Sequence, residues 1–244
     1  MIMSKLNLYC LSLYNDDYKK IKKLGYIPVG LGTNKFHSKW LRDNDGVNIS
    51  RKNKFYGEYT FHYWFWKNRL KNIKNNNWIG FCAYRRFWTS SESILHIKKK
   101  RDFLKHPFHS WNNYDVILGN HIYMNGWTFM KILKHGLKSF LLNPKFFFKN
   151  KRNLKLHFDS FHGYGNLDKA IDLLNKKDRD GFRNFVNNQN FFNRGNMFIC
   201  KSKKILNKYY NEVFPWLRRC EKIFGFNKKN YGEVRIYGIF NGKI

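Results

Sequence analysis

Arg85 and Arg86 stand side by side directly after WIGFCAY (78–84), a short run of apolar, strand-forming residues. A run of that length and composition suits a strand buried on both faces of a parallel sheet. Open α/β sheets bind ligands beyond the carboxyl ends of their strands. A guanidinium at such an end presents a planar fork of donors matched to phosphate. The spacing fits recognition of a phosphorylated ligand; the alternative is two solvated arginines, or one paired with a carboxylate.

Other residues add chemistry. Asp43 and Asp45 lie in a polar loop, RDNDGVNIS (42–50), where two carboxylates could hold magnesium or manganese, although Asp, Asn and Gly are also ordinary turn residues. Glu58 opens an aromatic helix, GEYTFHYWFWKN (57–68), where an acidic side chain complements the helix dipole. Lys67, at the other end, either complements the carboxyl-terminal dipole or contacts phosphate. His162, beside Gly163 and Gly165, is either a structural residue of a glycine loop or a contact for an acceptor or leaving group.

The elements positioning these groups can be read along the chain. Strands are expected at LNLYCLSLY (6–14), at the end of KLGYIPVGLG (23–32), and at WIGFCAY, YDVILG (114–119) and MFICK (197–201). Helices are expected over 57–68, 126–141, 166–177 and 203–224, the last interrupted by Pro215. Alternating strands and helices predict a mostly parallel central sheet flanked by helices. No repeat or linker divides the 244 residues, so one α/β domain spanning 1–244 is expected. Within it, 126–155 has its own character. Met130, Leu133, Leu137, Phe140 and Leu141 form an apolar helical stripe, Lys131, Lys134 and Lys138 a basic one, and FFFKNKR follows. That pattern fits a helix at an anionic membrane surface, or one packed on the core.

Forty-seven Lys and Arg against sixteen Asp and Glu give a formal charge of +31. Such a field attracts polyanions or an anionic leaflet. The 19% aromatic content lies in core-like runs, and no zinc-finger spacing, RNA-recognition signature or basic zipper occurs, so nucleic acid is not the expected partner. Cys10, Cys82, Cys200 and Cys220 lack metal-like pairing; Cys10, Cys82 and Cys200 sit in apolar strand-like runs, so buried free thiols in a reducing cytoplasm are expected. The amino-terminal stretch is too short and polar for a signal peptide, and no run of about 18 apolar residues predicts a spanning helix.

Taken together, several blocks resemble a bacterial family assigned to glycosyl transfer in capsular and exopolysaccharide gene clusters. They are Asn48-Ile49-Ser50, Lys52-Asn53, Tyr56 with Glu58 and Thr60, Trp66-Lys67-Asn68, Trp78 to Cys82 and Tyr84-Arg85-Arg86. YIPVGLG (26–32), FHGYGNLDKAI (161–171), NRGNMFICKS (193–202), FPWLRRCEKIFGF (214–226) and RIYG (235–238) extend the resemblance over nearly the whole chain. Two departures stand out. Ala83 occupies a place where the family carries His or Gln, and the chain ends in IFNGKI where the family continues through Ala-Glu-Arg and a further helix, as a truncated reading frame would.

The resemblance implies a GT-A-like nucleotide-sugar-binding domain. It implies a cytoplasmic, peripheral-membrane glycosyltransferase moving a sugar from a nucleotide sugar, most simply a UDP-sugar, to a lipid-linked oligosaccharide. Arg85 and Arg86, with Tyr84 and Lys67, would hold the donor diphosphate. Asp43, Asp45, Asn53, Asn193, Gly195 and Asn196 would face its nucleotide or sugar, and Glu58 and His162 would carry catalysis. The Asp-x-Asp that holds a metal in many such folds is replaced by Ala83 to Arg86, so no metal cofactor is expected, with Mn or Mg at Asp43/Asp45 as the alternative. Two other readings are a catalytically impaired remnant of the family and a basic nucleic-acid-binding protein.

Overall fold

A computed structural model describes residues 5–75, 77–89, 103–123, 130, 137–138, 140–193, 196–227 and 237. The chain divides into two compact units, Met1–Gly119 with Asn196–Asn211, and Asn120–Gly195 with Glu212–Ile244. The strands are β1 (Leu6–Ser12), β2 (Ile27–Gly30), β3 (Leu41–Arg42), β4 (Trp78–Ala83), β5 (Val116–Leu118), β6 (His121–Tyr123), β7 (Phe191–Asn193) and β8 (Phe198–Cys200). The α-helices are α1 (Tyr18–Lys23), α2 (Asn53–Tyr56), α3 (Tyr59–Asn68), α4 (Leu154–His162), α5 (Asn166–Asp172), α6 (Lys176–Asn188) and α7 (Lys203–Phe224).

The first unit holds a six-stranded sheet in the order β3-β2-β1-β4-β8-β5. The pairings β3/β2, β2/β1 and β1/β4 are parallel, and β8 runs antiparallel to β4 and β5. This is the mixed, mostly parallel α/β sheet that the alternation predicted. β1 and β4 lie at its centre, and their apolar runs are buried accordingly. On one face, Tyr9 sits among Phe61, Phe65 and Phe81, with ring centroids 5.2–5.9 Å away. On the other, Leu8, Cys10 and Cys82 cluster with Ile21, Leu24, Tyr26, Trp40 and Trp88. Helix α3 is buried from Tyr59 to Phe65, as a helix apolar on every side must be. Each large side chain so enclosed contributes roughly 1.5–3 kcal/mol. In β4, Gly80 pairs with Leu8 and Ile199. A β-carbon there would press on the Leu8 side chain and lie 2.9 Å from Ile199 Cγ1, so close packing of these strands requires glycine. All four cysteines are free and buried.

In the second unit, β6 and β7 form an antiparallel pair joining His121 to Asn193. Asn153 caps α4, its side chain accepting the Leu156 N–H at 2.9 Å. The helix expected over 166–177 stops at Asp172, and α6 begins at Lys176. Helix α7 carries Pro215 within it and does not end there. Of the expected helix at 126–141, residues 126–129, 131–136 and 139 lie outside the described residues, while Phe140 packs with Phe146 and Leu156 in a small buried cluster.

Candidate functional site

Strand β1 is followed by β2 on one side, and the chain later adds β4 on the other. The strand order therefore reverses between β1 and β4, and a sheet of this type opens a crevice outside the carboxyl ends of those two strands. The Tyr84 N–H donates to the Leu11 carbonyl at 2.9 Å, carrying the β1/β4 ladder to its end. The Arg86 N–H then donates to the Ala83 carbonyl at 2.8 Å, closing a turn that leaves Arg85 and Arg86 exposed. The Arg85 guanidinium lies over the Tyr84 ring at 4.9 Å and makes no ion pair among the described residues. Tyr84 meets the edge of Tyr14, just past β1, at 5.2 Å. Ser12 fixes this second rim: its hydroxyl donates to Asp17 at 2.6 Å and accepts the Tyr14 N–H at 3.0 Å. The reversal point thus gathers guanidinium donors and two tyrosine rings. Such a set can clamp an anion and stack a flat ring, a contact worth about 1–3 kcal/mol where a base stacks on an aromatic side chain.

A second pair of expected residues meets nearby in the sheet. Two residues before antiparallel β8, Asn196 stands level with the end of β4, and its amide reaches Glu58 at 3.5 Å, the outer limit of a hydrogen bond. The Asn196 Oδ1 is buried without a partner among the described residues. One turn into α3, fully buried His62 shares a 2.8 Å hydrogen bond with the Tyr210 hydroxyl. Burial lowers its pKa to about 3, opposed in part by the Asn196 backbone. An unfolded histidine titrates near 6.5, so between about pH 6.5 and 3 the unfolded chain holds the extra proton and stability falls as pH falls. His62→Gln should therefore flatten the loss of Tm on acidification from pH 6.5 to 4. Parallel Tm–pH curves for the two proteins would remove His62 from this account.

The acidic loop after β3 runs along α3. Asp43 is fully buried and accepts the Gly32 N–H at 2.8 Å. Burial raises its pKa, against the Thr60 hydroxyl, Gly32 N–H and Arg42. Asp45 accepts the Trp64 indole N–H at 2.5 Å, and Asn68 grips Val47 through both polar atoms of its amide, at 2.8 and 3.1 Å. Thr60, Trp64 and Asn68 are successive helical turns, so the two carboxylates are set apart along α3 and each faces an N–H donor. Each carboxylate is so engaged through its Oδ1, and among the described residues no group of three metal-binding side chains occurs. Asn53 is likewise enclosed, donating to the Gly57 carbonyl at 2.9 Å and the Thr60 hydroxyl at 3.0 Å. Lys67 lies at the far end of α3, over the Trp66 ring at 3.3 Å. A helix of ten residues separates the two ends by about 15 Å.

The remaining expected residues belong to the second unit. His162 ends α4, buried against Phe158 at 4.8 Å, and its carbonyl accepts the Asn166 amide at 2.6 Å. It is a helix terminus, where the glycines had suggested a loop. Asn193 closes β7, and Gly195 lies outside the described residues. Tyr14, Ser12 and Asp17 escaped the sequence reading. The strand-end rule that singled out Arg85 and Arg86 applies equally to the end of LNLYCLS and could have found them.

An α/β sheet whose strand order reverses opens a ligand crevice at that point. The chain belongs to the family described as Domain of unknown function (DUF4422), whose model matches residues 11–243. Its fold is similar to the apo structure of the WbbM bifunctional glycosyltransferase, with a TM-score of 0.65 and 20% sequence identity over 97% of this chain. The chain spans 40% of that protein's length, and at this identity the likeness is one of fold. None of the curated proteins compared matches the chain.

Proposed function

We propose that the first unit binds a nucleotide sugar, most simply a UDP-sugar, and that the protein transfers its sugar to a lipid-linked glycan. The observation that carries this reading is the exposed Arg85–Arg86 pair at the strand reversal, on a sheet like that of a glycosyltransferase. The arginines would neutralise the charge that develops on a departing diphosphate, preorganised in place of a metal ion. Tyr84 and Tyr14 would bracket the nucleotide. Glu58 and Asn196, adjacent at the same end of the sheet, would face the sugar, with Glu58 as binding group or base. Asp43, Asp45 and Asn53 support the wall behind them. A thermal-shift panel tests this in the presence of EDTA. UDP or another nucleoside diphosphate should raise Tm, and single-stranded oligonucleotides of equal charge should not. Stabilisation only by oligonucleotides, or only by nucleotide with manganese added, would favour the rival readings.

The proposed acceptor places the protein at the cytoplasmic face of a membrane. Among the described residues, no helix is long and apolar enough to cross one. A surface contact is supported by Leu141, Leu142 and Phe148, 69%, 55% and 68% exposed, beside Lys138, Lys145 and Lys151. Single exposed apolar residues are common, but several within a short stretch of chain interspersed with lysine suit an anionic leaflet. Liposome co-sedimentation should show binding to anionic vesicles that weakens with salt. Leu141→Asp combined with Phe148→Asp should release the protein, and equal pelleting with neutral vesicles would contradict the surface.

A further inference from the structure

We infer that the second unit carries a separate pocket for a single sugar ring, presented as part of a glycan. A cavity of about 210 Å³ opens there between Asn143, Asp159, Tyr164, Asn187 and Asn188, with Lys145 and Lys155 at its sides. It is smaller than the roughly 300–1,000 Å³ of pockets that take drug-sized ligands, which suits one ring and excludes a nucleotide.

The polar groups around it are unevenly satisfied. Asp159 is 4% exposed; its Oδ2 accepts from Lys155 at 3.0 Å and the Gly165 backbone N–H leans toward the carboxylate, while Oδ1 has no hydrogen-bond partner among the described residues. Buried polar atoms are nearly always paired, and an unpaired one needs a water or ligand to explain it. The Asn188 amide nitrogen donates to the Asn184 carbonyl at 3.0 Å and its side-chain oxygen at 2.6 Å, while Asn187 uses one of its two N–H groups on the Arg183 carbonyl at 2.9 Å, which leaves one donor and both side-chain oxygens available. Asn143 has no side-chain partner among the described residues. The wall therefore offers both acceptors and donors, and a polyhydroxylated ligand, whose hydroxyls each donate and accept, matches both. Tyr164, 40% exposed, adds a flat apolar face, held by Lys138 at 5.1 Å and Lys155 at 5.8 Å from its ring. Lys155 also bridges Asp168, so its charge is already balanced within the unit. Polar donors and acceptors converging beside one aromatic face are the chemistry of a sugar.

The inference rests on glycosyl transfer only for its biological sense, as a place to hold the acceptor glycan; the binding itself is independent of the donor. Saturation-transfer NMR on the full chain tests it with the methyl glycosides of glucose, galactose and N-acetylglucosamine. At least one should receive saturation, and Tyr164→Ala and Asn188→Ala should each weaken its binding about fivefold or more, as loss of one hydrogen bond or stacking contact does. Arg85→Ala should leave it unchanged. No transfer to any of the three, or transfer unaltered in both variants, overturns the pocket. UDP binding recorded on the same sample keeps the two ideas apart: UDP bound without sugar sinks the pocket alone, and sugar bound without UDP supports it while sinking the donor site.

Discussion

Arg85→Ala combined with Arg86→Ala should weaken UDP binding by roughly two to four orders of magnitude, with Tm in the absence of nucleotide unchanged. Hydrogen bonds to charged groups contribute about 1.5–3 kcal/mol each, and every 1.4 kcal/mol is about tenfold. Two guanidinium–phosphate contacts therefore account for about 3–6 kcal/mol. Each single variant should lose about ten- to a hundredfold. Both side chains are exposed, so their removal opens no cavity in the core. Arg85→Lys keeps the charge but loses the planar fork, and its affinity should fall between wild type and alanine. Calorimetry with UDP measures all four. Wild-type affinity in both single variants would move the phosphate site away from the β4 turn.

The second large effect concerns stability. Gly32 follows β2 with φ of +68°, and a β-carbon there would lie 2.9 Å from Asn53 Cβ. Its N–H is also the partner of buried Asp43. Valine at this position meets two penalties: left-handed backbone costs about 1–2 kcal/mol for a side chain, and overpacking about 1–3 kcal/mol. Gly32→Val should therefore destabilise the protein by about 3 kcal/mol, a fall in Tm of about 6–12 °C at this chain length. Gly119→Ala, where a β-carbon meets nothing within 4 Å, is the control and should be nearly silent. Differential scanning calorimetry on both decides it. A Gly32→Val protein as stable as wild type would mean that the turn joining β2 to the Asp43 loop rearranges freely.

The central sheet was legible in the sequence because its strands are apolar on both faces: Leu8 to Leu11 and Trp78 to Cys82 are continuous buried runs. The same property marks α3, whose aromatic residues repeat at helical spacing and are enclosed on all sides. The arginine pair was found by a rule about strand ends, which needs only the strand and its direction. The rest depended on contacts that no spacing announces. Asp43, Asp45 and Asn53 bond to Gly32, Trp64 and Thr60, and only the fold shows which partner each one takes. Helix α6, KKDRDGFRNFVNN, buries only Val186 and reads as solvated chain. Helix α4 was obscured by the glycines after it, which mark its end. β6 and β7, three residues each, are too short to show a period. Asp159 and the asparagines around it come from segments up to 45 residues apart and converge only in the folded unit.

The central claim is nucleotide-sugar-dependent glycosyl transfer, and nucleoside diphosphate release measures it most directly. The full-length protein, with EDTA present, would be incubated with a panel of UDP-sugars and anionic vesicles carrying a polyprenyl-linked saccharide, and products followed by mass spectrometry. The account predicts that at least one donor yields UDP together with a glycan heavier by one sugar, and that Arg85→Ala with Arg86→Ala abolishes both products. Release of UDP from no donor, or release that needs manganese and survives loss of both arginines, would contradict it.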